Sequence, residues 1–184
     1  HGGFVISLAI NKYIYITYKP DDFERNLKLR YSQIEIVDHV PQLVHHRAKD
    51  ALTLHGIQNG CEIHSCADIP SKTGLGSSGS FLVGLLNVIR EHKRIDRSPH
   101  VLAEEACHIE IDRLGEPVGK QDQFIAAYGG LKSFTIEQNG SVTPKDVNMS
   151  FGSIQQLLSN LHVYYLRVKR DASDILTEQK KLNN

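Results

Sequence analysis

Residues 70–88 read Pro70-Ser71-Lys72-Thr73-Gly74-Leu75-Gly76-Ser77-Ser78-Gly79-Ser80, then Phe81-Leu82-Val83-Gly84-Leu85-Leu86-Asn87-Val88. This is a glycine- and serine-rich loop that runs into an apolar helix. Glycine lets the backbone turn its N–H groups toward a ligand and puts no side chain in the way. The helix adds unpaired amides and a positive dipole end at its first turn. Such a loop holds an anion, most often a phosphate. Gly74-x-Gly76-x-x-Gly79 also matches the dinucleotide fingerprint, which requires a strand after the helix. Here Lys93-Arg94-Ile95-Asp96-Arg97-Ser98-Pro99 follows, and then another helical pattern. The P-loop reading fails as well, because Ser80-Phe81 replaces the required Lys-Ser/Thr and Lys72 lies ahead of the glycines. A glycine-rich turn that merely caps a core helix is the plain alternative.

The chain around the loop alternates between strand and helix patterns. Residues 4–18 are rich in Val, Ile, Tyr and Thr and predict one or two strands, ended by Pro20-Asp21-Asp22. Residues 27–37 predict one half-buried strand, bulged where the alternation shifts. Residues 38–56 predict a helix, with Pro41 near its start and Gly56 at its end. Residues 60–67 form the strand that feeds the glycine loop. Its Cys61, His64 and Cys66 invite a metal reading, but His64 and Cys66 share one face and Cys61 lies on the other. The loop's helix covers 80–92. Ser98-Pro99 opens the next helix, which runs to Arg113 with Leu102, Ala106 and Ile109 inward and Gly115 as its stop. A second polar loop, Gly119-Lys120-Gln121-Asp122-Gln123, precedes a short apolar helix and a Gly129-Gly130 stop. Two strands flanking Gln138-Asn139-Gly140 predict a hairpin. Residues 150–161 read as a helix, 162–168 as a strand and 172–182 as a last helix.

Composition bounds what the site can serve. The 184 residues are 40% hydrophobic and 23% charged, which marks a globular chain. Net charge is zero and the pI is near 7.3, so nothing suggests a nucleic-acid face or a basic membrane surface. No apolar run is long enough to span a bilayer, and no signal peptide is visible. Three cysteines fit a reducing cytoplasm. The first residue is His1 rather than Met, which predicts a truncated or processed start.

Pro-x-x-x-Gly-Leu-Gly-Ser-Ser opening a helix resembles the phosphate-binding motif of the GHMP kinases, the relatives of galactokinase, homoserine kinase, mevalonate kinase and phosphomevalonate kinase. Residues 106–130, with Glu110, then Gly115-Glu116-Pro117, then Gly119-Lys120-Gln121-Asp122-Gln123 and Gly129-Gly130, are similar to the second active-site segment of the same kinases. The wording Val118-Gly119-Lys120-Gln121-Asp122-Gln123, the early run at residues 2–13 and the segment Arg170-Asp171-Ala172-Ser173 look most like D-glycero-D-manno-heptose 7-phosphate kinases. The resemblance covers nearly the whole chain.

That resemblance implies an ATP- and Mg²⁺-dependent kinase of a sugar phosphate. It would phosphorylate the anomeric hydroxyl of heptose 7-phosphate for nucleotide-sugar and envelope lipopolysaccharide synthesis. The loop Pro70, Lys72, Gly74, Leu75, Gly76, Ser77 and Ser78 would bind ATP. Ser78 and Glu110 would hold Mg²⁺, as hard oxygen ligands. Asp122 would orient and deprotonate the sugar hydroxyl, Lys120 would stabilise anionic groups nearby, and Arg170 would touch substrate phosphate. Each role has a plain counterpart: a solvated helix residue for Glu110, an N-cap for Asp122 or Ser78, a surface arginine for Arg170. The implied fold is α+β: a GHMP kinase N-terminal domain (ribosomal protein S5 domain 2-like) over residues 1–160, with the start of a ferredoxin-like C-terminal domain over 161–184. The family's first glycine-rich motif would lie before His1 and its third after Asn184. Gly79 stands where Ala is usual, and Leu166-Arg167 where the heptose kinases have Thr-Gly. A catalytically inactive nucleotide-binding fragment, or a kinase for galactose, fucose or mevalonate, remains the alternative. A homo-oligomer is left open.

Overall fold

The computed structural model describes residues 2–71 and 73–164. Lys72, Arg170, most of the strand expected over 162–168 and the helix expected over 172–182 lie outside the described residues. In chain order the elements are β1 (Gly3–Leu8), β2 (Ile14–Pro20), β3 (Leu27–Arg30), β4 (Ile34–Val37), α1 (His46–Leu54), β5 (Cys61–Ala67), α2 (Ser77–Lys93), α3 (Pro99–Cys107), α4 (Gln121–Tyr128), β6 (Leu131–Ile136), β7 (Val142–Asp146) and α5 (Phe151–Asn160).

The strands make two sheets, the α+β arrangement expected. One is antiparallel, in the order β1-β6-β7; the other is mixed, in the order β2-β5-β3-β4, with β3 and β5 parallel. The larger core packs Leu27, Leu29 and Ile63 of the mixed sheet against Leu82, Leu85, Leu86 and Ile89 of α2 and Leu52 of α1, all wholly buried. Each such side chain contributes about 1.5–3 kcal/mol by leaving water. A Cβ on Gly84 would lie 3.1 Å from Ile16 Cγ1, so α2 rests directly on β2. A smaller core of Ala103, Cys107, Phe124, Phe134 and Val142 lies under the antiparallel sheet.

Three expectations are corrected. Residues 27–37 are two strands, not one bulged strand: the amide of Tyr31 donates to the Gln33 carbonyl at 2.8 Å and turns the chain. The shifted alternation marks that turn, since Leu27 and Leu29 are buried while Ile34 and Ile36 are exposed. Residues 38–56 hold a 3₁₀ turn (Val40–Gln42) and then α1, not one helix. Between them Glu35 accepts hydrogen bonds from the Val44 and His45 amides, at 2.6 and 3.2 Å, which takes those donors out of any helical ladder. The helix expected to run to Arg113 gives way after Cys107 to a π turn, His108–Arg113.

Candidate active site

Gly74 and Gly76 both take left-handed backbone angles, φ +78° and +67°, a region that costs any residue with a Cβ. Gly76 is the N-cap of α2, and no described side chain caps its first turn. The leading amides of Ser77, Ser78 and Gly79 are therefore available to an anion at the helix's positive end. The first turn carries no acidic residue, while Arg90, His92 and Lys93 occupy the last turn. A small concavity beside the first turn is lined by Lys12, Tyr13, Leu75, Ser77 and Ser80. Pro70 and Leu75 stand exposed at the rim of the loop.

Asp122 meets this loop from the other side. It sits in the first turn of α4, whose N-cap is Lys120, so Asp122 is not the cap itself. A Cβ on Gly76 would lie 3.1 Å from Asp122 Cγ and 3.3 Å from its Oδ2. A Cβ on Gly79 would lie 3.2 Å from both Asp122 Cβ and the Gln123 amide nitrogen. Glycine at 79 thus lets α4 seat against α2, a packing reason for a residue that otherwise weakens a helix. Asp122 keeps a solvent-open side. Partial desolvation against the glycines, with the Glu110 carboxylate nearby, raises its pKa above the usual aspartate value.

Glu110 completes the cluster. The π turn inserts one residue into the helical period, and Ile109 and Glu110 are both wholly buried as a result. Arg47 of α1 donates through Nε to Glu110 Oε1 at 2.7 Å, and Gln123 Nε2 donates to Glu110 Oε2. The second guanidinium nitrogen of Arg47 donates to Glu116. Lys120 is turned to Glu104, with Nζ to Oε2 at 2.9 Å. Gln121 Nε2 donates to Ser7 Oγ at 3.0 Å, which pins the polar loop to β1.

The structure therefore brings Gly76, Gly79, Glu110 and Asp122 together. Sequence reasoning missed Arg47, Gln123, Glu116 and Lys12. Gln123 stands inside the motif that carried the resemblance, but nothing in its spacing shows that it turns inward. Arg47 has no local signal, because it reaches Glu110 from a helix far away in sequence.

The site suits a hard divalent cation such as Mg²⁺. Gln123 is 1% exposed, and its Oε1 has no hydrogen-bond partner among the described residues. Its Nε2 must face the Glu110 carboxylate, because the carboxylate cannot donate, so the orphan atom is an oxygen acceptor. The carboxylates of Glu110 and Asp122, the hydroxyl of Ser78 and the bare amide oxygen of Gln123 are the hard oxygen donors that could hold such an ion, with Arg47 already paired to Glu110. Among the described residues no three His, Cys, Asp or Glu side chains converge as a cage. Mg²⁺ is commonly held by one or two carboxylates, with phosphates and water completing its shell. Cys61 is buried in the core while His64 and Cys66 are exposed on the strand's other face.

Comparisons with known proteins identify the family. The chain is 29% identical over 119 residues to D-glycero-alpha-D-manno-heptose 7-phosphate kinase of Campylobacter jejuni, covering 65% of this chain and 35% of that one. It is 31% identical over 122 residues to galactokinase of Pyrococcus furiosus, covering 62% and 31%. The fold superposes on a crystal structure of D-glycero-D-manno-heptose 1-phosphate kinase from Bacteroides thetaiotaomicron with a TM-score of 0.77 and 23% identity, over 85% of this chain and 55% of that one. The chain spans about a third of the length of the curated relatives it matches. Residues 39–130, half of the sequence, match the model of the GHMP kinases N terminal domain. That stretch carries the glycine loop, Arg47, Glu110 and Asp122 alike, and the chain belongs to the GHMP kinase family.

Proposed function

We propose that this chain is the ATP-binding part of a sugar kinase. It would transfer the γ-phosphoryl group of ATP to a hydroxyl of a sugar phosphate, with D-glycero-D-manno-heptose 7-phosphate as the substrate. The observation that carries this reading is the seating of Asp122 against Gly76 and Gly79, with Glu110 behind it. On this reading the glycine loop would hold phosphate beside Asp122, with the buried Glu110 close enough to raise the pKa of Asp122. The resemblance to a heptose 7-phosphate kinase favours the substrate. The resemblance to galactokinase keeps galactose as the comparison sugar.

The amides and hydroxyls of Gly74, Gly76, Ser77 and Ser78, together with Pro70, Lys72 and Leu75, would bind the triphosphate. Ser78 and Glu110 would hold Mg²⁺, which when bound neutralises charge on the phosphates. Asp122 would align the sugar hydroxyl and accept its proton as the new O–P bond forms and the bond to ADP breaks. Its raised pKa makes it a better proton acceptor than an ordinary aspartate. Lys120 would have to leave Glu104 to reach an anion. Arg170 would bind the substrate's own phosphate. Residues 1–160 would form the nucleotide-binding domain and 161–184 the start of a second. Among the described residues no helix is long and apolar enough to cross a membrane. The cytoplasm is the proposed location, since ATP and sugar phosphates are met there.

One observation favours a second reading, an inactive nucleotide-binding module. Glu110 is engaged by Arg47 and Gln123, and Lys120 by Glu104. A nucleotide titration beside a coupled assay with heptose 7-phosphate, galactose and mevalonate separates the two. Turnover with heptose 7-phosphate is expected. Binding of ATP without turnover on any acceptor would replace the first reading by the second.

A further inference from the structure

Glu110 already has a positive partner. Its side chain is wholly buried, and the Arg47 guanidinium lies 2.7 Å from Oε1. The same guanidinium spans a second carboxylate, Glu116, through its other nitrogen. The Glu116 amide donates to the Glu110 carbonyl at 2.9 Å, so the backbone holds the two acids side by side. Arg47 and Glu116 are each about one-quarter exposed, at the rim, while Glu110 is at the bottom.

We propose that Arg47 is a positioning residue that stands in for the divalent cation at Glu110 until nucleotide arrives, and that Glu116 is the carboxylate to which its guanidinium withdraws. This rests on the reading in which Glu110 meets Mg²⁺. A carboxylate removed from water needs a compensating charge in every state it visits. Arg47 supplies that charge before the ion enters, and the ion supplies it afterwards. Arginine suits the exchange because its planar fork binds two acids at once and keeps one when it releases the other. Lysine, a point charge, would have to choose. The bare Oε1 of Gln123 points the same way. It is a buried acceptor on the very amide that donates to Glu110, and it lacks the donor that a cation's retained water would bring. The arrangement holds the Glu110 carboxylate in one position and sets a threshold for metal entry.

The test titrates Mn²⁺ into the nucleotide-free, full-length protein, read by melting temperature and by the EPR signal of free Mn²⁺. Arg47→Met is expected to lower Tm by about 10 °C without metal. Mn²⁺ should restore most of that loss and bind about tenfold tighter than to the parent, since it no longer displaces a guanidinium. Adding Glu110→Gln should abolish the rescue. Glu116→Gln, a mild rim substitution, is expected to weaken Mn²⁺ about threefold, because Arg47 then has nowhere to withdraw. Equal Mn²⁺ affinity in parent and Arg47→Met, rescue that survives Glu110→Gln, or unchanged affinity in Glu116→Gln would each overturn the exchange. Should Arg47→Met not fold, the Glu116→Gln result decides. A parent that turns over but gives these negative results remains a kinase without the exchange. A parent with neither Mn²⁺ binding nor turnover loses the underlying reading as well.

Discussion

Two acidic clusters sit close together along the chain and behave in opposite ways. Glu105, on α3, lies between Arg90 and His55, with Arg90 Nε at 2.6 Å and His55 Nε2 at 3.0 Å. Burial pushes its pKa up, but His55 and Arg90 outweigh that and hold the carboxyl below the usual glutamate value. Asp122 has desolvation and a like charge instead, and its pKa is raised. The first cluster ties α3 to α2 and to the end of α1. The second faces the glycine loop. Opposite charges favour the ionised form of Glu105, whereas desolvation and a like charge disfavour that of Asp122.

The sharpest way to break the contrast is Asp122→Asn. If Asp122 is the proposed general base, turnover should fall by about 10³-fold or more, with ATP affinity little changed, because the binding groups remain. A coupled assay beside a nucleotide titration measures both, and retained activity would remove Asp122 from the chemistry. Next in size, Glu105→Ala should cost about 3 kcal/mol of stability by leaving Arg90 and His55 without their acid, read by urea unfolding. Its folded pKa is depressed, so the parent's advantage is full above the unfolded value of about 4 and fades as pH falls through the lower folded value. A uniform penalty across pH would contradict the ion-cluster account.

Gly79→Ala sharpens the comparison from the backbone side. The new methyl must displace Asp122 Cβ and the Gln123 amide, each 3.2 Å from the ideal Cβ position. Turnover is expected to drop about tenfold, while stability moves by less than about 1 kcal/mol because the helix gains propensity. Stopped-flow phosphoryl transfer beside thermal melts would show it, and unchanged rates would mean that α4 yields freely. The smallest effect is in pH and stability. Asp122's folded pKa lies above its unfolded one, so the native state holds that proton more tightly and loses stability as pH rises through the window between them. Asp122→Asn should therefore be slightly more stable than the parent at neutral pH and lose that edge in acid. An edge that grows as pH falls would reverse the sign.

What could be read in advance followed local chemistry. The glycine loop was legible because positive φ at Gly74 and Gly76 and an uncapped helix start are properties of the residues themselves. The hairpin at Gln138-Asn139-Gly140 was legible for the same reason: Gly140 takes φ +84° and Ser141 bonds back to Asn139 Oδ1. The break before α1 was hidden because Glu35, on a preceding strand, takes the amides a helix would have used. The π turn left no mark except two neighbouring residues, Ile109 and Glu110, that both turn inward. The environment of Glu110 was hidden for a similar reason. Arg47 and Gln123 reach it through the fold, and neither type nor spacing announces a partner so distant in sequence.

The seating of α4 on a bare glycine surface has a wider consequence. The other side of α4 is anchored by Phe124, which packs edge-on against Phe134 of the antiparallel sheet and parallel to Tyr128. Nothing bulky at Gly76 or Gly79 resists if that anchor shifts. Slack in the small core would thus travel along one short helix and emerge as a misplaced carboxylate. Substitutions buried beneath β6, remote from any nucleotide, are then expected to surface as catalytic defects before they register as unfolding.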